Sequence, residues 1–123
     1  DISTGEGVHP RNLHRACIIK SILLPLNMNF RSGFHKLKQR ESMDFSSLTT
    51  AVSLNKNGKV KIVLGAVDPK PVVVEGTNKS DIEELINQVL KRSRAIDNEM
   101  FSRNYRRKMI GVFLRRSFEE ILN

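Results

Sequence analysis

Only one cysteine, Cys17, occurs among the 123 residues, so no intramolecular disulfide can form. No signal-peptide pattern opens the sequence. Together these lead to the expectation of a reducing, cytoplasmic setting. No apolar run approaches the eighteen residues a membrane span needs, and residues 22–26 and 72–74 are only strand-sized. No membrane association is therefore expected. Acids are scarce beside bases, 13 against 21, which leaves a net charge of +8. Such a balance speaks to solubility and to acidic partners, not to fold. A phosphate-cradling P-loop is missing. The lone Gly5-Glu-Gly7 has no preceding strand and no third glycine, so it is no dinucleotide fingerprint. The chain opens on Asp1 rather than Met. It is expected to be a piece of a longer or trimmed protein.

What is present is enough for one folded domain. The apolar fraction is 39% and the charged fraction 28%, a globular balance rather than a disordered one. Residues 1–12, with two glycines and a proline, read as a loop. Residues 16–24 are rich in Ile and Leu and stop at Pro25, which predicts a strand. Residues 26–33 read as a connector with Asn27, Asn29 and Gly33 as turn formers. A basic stretch follows, with Lys36, Lys38 and Arg40 on alternate residues, so that in an extended segment they share one face. A solvated edge strand carries lysines for the same reason.

Residues 48–54 read as a strand, with Thr49, Thr50 and Val52 β-branched. The Asn57-Gly58 pair before the alternating residues 59–64 predicts a hairpin, with Val60, Ile62 and Leu64 on one face. Pro69 and Pro71 break the pattern, and residues 72–75 read as a short extended piece. Ser80 with Glu83 forms a capping-box signature for a helix carrying Ile82, Leu85, Ile86, Val89 and Leu90. Ser102 is the expected N-cap of a last helix running to about Leu122. Its apolar stripe is read through Tyr105, Met109, Val112, Phe113, Phe118, Ile121 and Leu122, with Arg106, Arg107, Arg115 and Arg116 on the wet side. Strands first and helices after predict an α+β fold, with an antiparallel sheet of three to four strands covered on one face by helices.

Individual residues carry little chemistry. His9, His14 and His35 have no Cys or carboxylate at metal-ligand spacing, so no metal site is expected. Cys17 lies in an apolar segment and reads as a small core residue. The basic last helix invites nucleic acid, but its aromatics follow the apolar stripe, and no RNA-recognition, zinc-finger or helix-turn-helix signature is present. Nucleic acid is not the expected partner.

The order of motifs nevertheless resembles one family. Ile18-Ile-Lys-Ser-Ile-Leu-Leu-Pro25 resembles a strand leading into its C-terminal domain. Phe34-His-Lys-Leu-Lys-Gln-Arg40 with Asp44 resembles Phe-x-Lys-x-x-x-Arg followed by Asp, and Ala51-Val-Ser-Leu54 stands where the next strand runs. Ile62-Val-Leu-Gly-Ala-Val-Asp-Pro-Lys-Pro71 resembles Leu-Gly-Gly-Val-Ala-Pro-x-Pro. Ser102-Arg-Asn-Tyr-Arg-Arg107, with Met109 and Arg116, resembles Ser-x-x-Tyr-Arg-Arg in the last helix. These motifs are similar to those in the C-terminal domain of the FAD-binding (medium) subunit of molybdenum hydroxylases. That family includes xanthine dehydrogenases and carbon monoxide dehydrogenase.

The resemblance implies a sheet followed by about three helices over residues 18–123, with residues 1–17 a linker or the remnant of a preceding FAD-binding domain. It implies a part in an oxidoreductase rather than independent catalysis. In the family, electrons pass from a molybdenum-pterin centre through iron–sulfur clusters to FAD, and this domain closes over one side of the flavin. Partners would be the iron–sulfur and molybdopterin subunits or domains of the same enzyme. Carried over by position, Lys36 would reach the flavin ring and Phe45 would line its edge. Arg40 would pair locally with Asp44. Tyr105, Arg106 and Arg107 would be structural. Ala66 and Asp68 stand where the family has Gly and Ala, and the domains that hold most of FAD are not in this sequence, so the isolated chain is expected to bind FAD poorly. Two rivals remain: a small basic module for nucleic acid or an acidic protein, and an interaction domain that keeps the fold without the flavin role.

Overall fold

The computed structural model describes Ile18, residues 20–23 and residues 29–123. Four strands come first: β1 (Phe30–Leu37), β2 (Leu48–Asn55), β3 (Lys59–Gly65) and β4 (Val72–Thr77). Two helices follow, α1 (Ile82–Arg92) and α2 (Arg103–Leu122). The sheet is an antiparallel meander in the order β1-β2-β3-β4. The α+β architecture is therefore as the pattern of elements predicts, with two helices among the described residues instead of about three. Residues 93–101 stay non-helical because side chains bind their backbone. Asn98 Oδ1 accepts from the N–H groups of Met100 and Phe101, and Asp97 Oδ1 accepts from the Arg103 N–H.

Alternation decides which face of the sheet is buried. Leu48, Val52, Val60, Ile62, Leu64 and Val74 point one way and are at most 3% exposed. Leu85, Ile86 and Val89 of α1 and Ile110, Phe113, Leu114, Phe118 and Ile121 of α2 close over them. The hairpin forms as the Asn-Gly pair predicts. Gly58 takes a φ of +74°, and its N–H donates to the Asn55 carbonyl at 3.0 Å. At the outer edge of the sheet, the Arg92 guanidinium donates to the Val73 carbonyl of β4 at 3.0 Å.

Four local readings need correction. The first strand begins at Phe30, inside the expected connector, and ends at Leu37. Lys36 alone of the three basic residues lies on it, so the expected shared face of Lys36, Lys38 and Arg40 does not form. Gly33, read as a turn former, sits mid-strand because α2 crosses directly above it. A Cβ there would lie 2.8 Å from Ser117 Cβ and 2.9 Å from Ser117 Cα. Asp81, not Ser80, caps α1, accepting from the Glu83 N–H at 3.0 Å. The Ser80 hydroxyl turns back to the Thr77 N–H instead.

The stripe of α2 is rotated. Arg106, Ile110, Phe113, Leu114, Ser117, Phe118 and Ile121 are buried, whereas Tyr105 and Leu122 are exposed. The polar members Arg106 and Ser117 hid that spacing. Of the strand expected over residues 16–24, Ile18 and residues 20–23 carry no regular structure, and the remainder lies outside the described residues. Cys17, His9 and His14 lie outside them too.

Candidate functional site

Among the described residues, nothing covers the face of the sheet turned away from the helices. Its residues fall into rows set by the strand register. Nearest the β1–β2 connection runs Lys36, Thr49 and Gly65, then Phe34, Ala51, Val63 and Val73, then Ser32, Ser53, Lys61 and Glu75. The Lys36 row is low, because Gly65 has no side chain and Thr49 is short. The Lys36 ammonium stands over the Phe34 ring, 5.5 Å from its centroid. It is exposed and available to a ligand lying on that shelf.

Phe45 sits in the connection that follows. Its side chain is 92% exposed. Asp44 shapes this connection by accepting from the backbone N–H groups of Gln39 and Arg40 at 3.0 and 3.1 Å. The Ser47 N–H closes it onto the Leu37 carbonyl at 2.8 Å. The Arg40 backbone bond and, more weakly, its charge hold the Asp44 carboxyl below its usual range. The expected local pairing of Arg40 with Asp44 is thus carried by the backbone of Arg40. Lys38 turns away, donating to the Glu41 carbonyl.

Phe45 borders a concavity of about 560 Å³ whose walls come from three connections: residues 45–47, residues 66–69 and residues 96–100. Arg106 joins all three from beneath. It is 3% exposed. Its Nε and Nη2 donate to the Ser47 carbonyl at 3.1 and 2.6 Å, Nη2 also donates to the Ala66 carbonyl at 2.6 Å, and Nη1 donates to the Ile96 carbonyl at 2.5 Å. Burial lowers its pKa and the charge of Asp97 opposes this. Sequence reasoning kept Arg106 structural but put it on the wet face. The signal that could have found it is its position four residues before Ile110, in line with Leu114, Ser117 and Ile121.

Lys36 and Phe45 thus lie at the same end of the sheet, one on the open face and the other on the adjoining connection. The other half of the open face, at the hairpin end, holds a larger concavity of about 860 Å³. Three of the arginines that make the last helix basic are engaged within the fold, while Arg103, Lys108 and Arg116 are exposed. Arg106 is buried, Arg107 Nη1 donates to the Leu90 carbonyl at 3.0 Å, and Arg115 makes a two-pronged pair with Glu83 at 2.7 and 2.8 Å. Tyr105 stacks on Phe101, with ring centroids 5.4 Å apart. Among the described residues no group of three His, Cys, Asp or Glu side chains could hold a metal ion, and no helix is long and apolar enough to cross a membrane.

Solved structures that share this fold include two oxidoreductases. One is a Cu,Mo-CO dehydrogenase in its cyanide-inactivated form, with a TM-score of 0.61 and 24% identity. The other is quinoline 2-oxidoreductase from Pseudomonas putida 86, with a TM-score of 0.60 and 16% identity. Each match covers 75% of this chain and 36% of the other. The chain therefore corresponds to about a third of either oxidoreductase chain, and at these identities the likeness is one of fold. No protein-family model matches the sequence, and no curated protein is detectably similar to it.

Proposed function

We propose that this chain is the C-terminal domain of the FAD subunit of a molybdenum hydroxylase and forms a lid over the flavin. The observation that carries the reading is the Lys36 shelf: one exposed ammonium at the end of a flat, low strip of sheet, with the exposed Phe45 on the adjoining connection. It occurs on a fold shared with part of two oxidoreductases, one of them a copper- and molybdenum-containing CO dehydrogenase. The motif order in the sequence agrees with that fold.

The shelf suits a planar ring with a polar edge. When bound, FAD would supply the electron-accepting chemistry. Lys36 would hold a ring oxygen by a charge-assisted hydrogen bond and would stabilise negative charge there. Phe45 would shield the ring edge from water. Asp44 would set the Phe45 backbone through its bonds to residues 39 and 40, and Arg106 would fix the three connections around the concavity. The iron–sulfur and molybdopterin subunits or domains of the same enzyme would be the partners. A cytoplasmic setting belongs to the same reading.

The isolated chain should be colourless and bind FAD poorly. In the complete flavoprotein, Lys36→Ala should lower the flavin reduction potential or slow flavin reduction on the order of tenfold, the loss of one well-placed charged contact of roughly 1.4 kcal/mol. A variant matching wild type in both potential and rate would sink the assignment. The rival reading as a basic module for nucleic acid is weakened by the engaged arginines of α2.

A further inference from the structure

The hairpin half of the open face has a character of its own. Its concavity of about 860 Å³ runs from Phe30 on β1 to Glu75 and Thr77 on β4, with Ser53 and Lys61 between them. Lys56, Lys59 and Lys61 line it, and Glu75 is the one acid among its lining residues. That acid is already engaged by Lys61 at 3.4 Å. No described carboxylate lies within ion-pair distance of the Lys56 or Lys59 ammonium. Alongside runs the row Phe34, Ala51, Val63 and Val73, apolar across all four strands. Phe34 is 56% exposed and Val73 37%. An apolar band beside the paired Lys61, with Lys56 and Lys59 unpaired among the described residues beyond it, is the anatomy of a protein interface with a charged rim.

We propose that this half of the face docks an extended acidic segment of a partner protein. Its apolar side chains would rest on Ala51, Val63 and Val73, and its carboxylates would meet Lys56, Lys59 and Lys61. A second copy of this chain is disfavoured, because two such faces carry the same sign of charge. Nucleic acid is disfavoured because Phe30 and Phe34 both stand on β1, leaving no stacking platform across the sheet. Four strands span roughly 15 Å, room for about five extended residues. So small a contact predicts weak, salt-sensitive binding, with a Kd on the order of 100 μM. This inference does not rest on the flavin reading, since it uses neither Lys36 nor Phe45.

The test is an NMR titration of the ¹⁵N-labelled 123-residue chain with three probes: a hexapeptide alternating Glu with Val and Leu, the same peptide with Lys for Glu, and a thymidine dodecamer. The acidic peptide is expected to shift the amides of Ser53, Lys61, Val63 and Glu75, and the basic one to leave them unmoved. Lys59→Glu with Lys61→Glu should weaken binding about tenfold, and raising the salt should do the same. Val73→Ser should weaken it about threefold with an unchanged amide spectrum elsewhere. The proposal is overturned if the dodecamer binds this face more tightly than the peptide, if the shifts fall on α2, if the charge reversal changes nothing, or if no shift appears at millimolar peptide.

Discussion

Arg106→Met should be among the most damaging single substitutions available in α2. A buried ion pair can often be replaced by apolar groups of similar volume at little cost, because both partners leave together. That route is closed here, since the partners of Arg106 are the backbone carbonyls of Ser47, Ala66 and Ile96, which no side-chain replacement removes. Each charge-assisted bond contributes about 1.5–3 kcal/mol and each carbonyl left dry costs about 1–3 kcal/mol, but these overlap, and the methionine recovers the cost of burying a cation. A net loss of about 3–4 kcal/mol follows, against a total stability of about 5–15 kcal/mol for a domain. Arg106→Lys keeps the charge but reaches fewer carbonyls, and should lose about half as much. Urea unfolding followed by circular dichroism reads both values. If Arg106→Met lies within about 1 kcal/mol of wild type, the three-carbonyl clasp contributes nothing and the reasoning fails. A sharper readout is amide exchange. The first amides to lose protection in Arg106→Lys should lie at residues 46–47, 66–68 and 96–98, while those at the centre of β2 and β3 hold.

Three further substitutions or conditions bear on the same fold. Ala66 has a φ of 64°, a left-handed conformation that disfavours a Cβ, so Ala66→Gly should raise stability by about 0.5–1 kcal/mol in thermal unfolding. Gly33→Ala places a methyl against the Ser117 backbone, so it should cost about 1–3 kcal/mol. Ser117→Gly should rescue it only in part, because the close Cα remains. Glu83 is held below its usual range by the hydrogen bond from Arg115, and Asp44 by the backbone bond of Arg40. Both carboxyls therefore bind protons more readily unfolded than folded. Their contribution is full above the ordinary carboxylate range of about 4 and is lost as pH falls through the lower folded values. The urea midpoint should fall with acidity in that window, and Glu83→Gln with Asp44→Asn should flatten the slope.

The sheet was largely legible because its signals are local. The Asn57-Gly58 turn and the alternation of Val60, Ile62 and Leu64 depend on near neighbours in the chain, and they set both the hairpin and the buried face. β1 was misread at its start because the feature that puts Gly33 inside a strand is a helix more than eighty residues later. The rotation of α2 was hidden for a related reason: a buried arginine is indistinguishable from a solvated one until the carbonyls around it are known. The Ser80 and Asp81 caps differ by one residue, and both side chains can accept from a helix N-terminus. Only the turn at Thr77, which takes Ser80, separates them. Lys36 and Phe45 were nominated through motif order. Composition alone treats Lys36 as a solvated edge residue, and in the fold β1 is indeed an edge strand.

The bond from Arg92 to the Val73 carbonyl has a consequence for how copies of this chain behave at high concentration. The strand it touches reads Val72-Val-Val74 at the rim of the sheet, the kind of segment onto which strands from other molecules can add, one after another, into fibrils. A guanidinium anchored on that rim sets a cation and its shell of water where an incoming strand would need to lie flat. One side chain from a neighbouring helix thereby guards the β4 rim against strand addition.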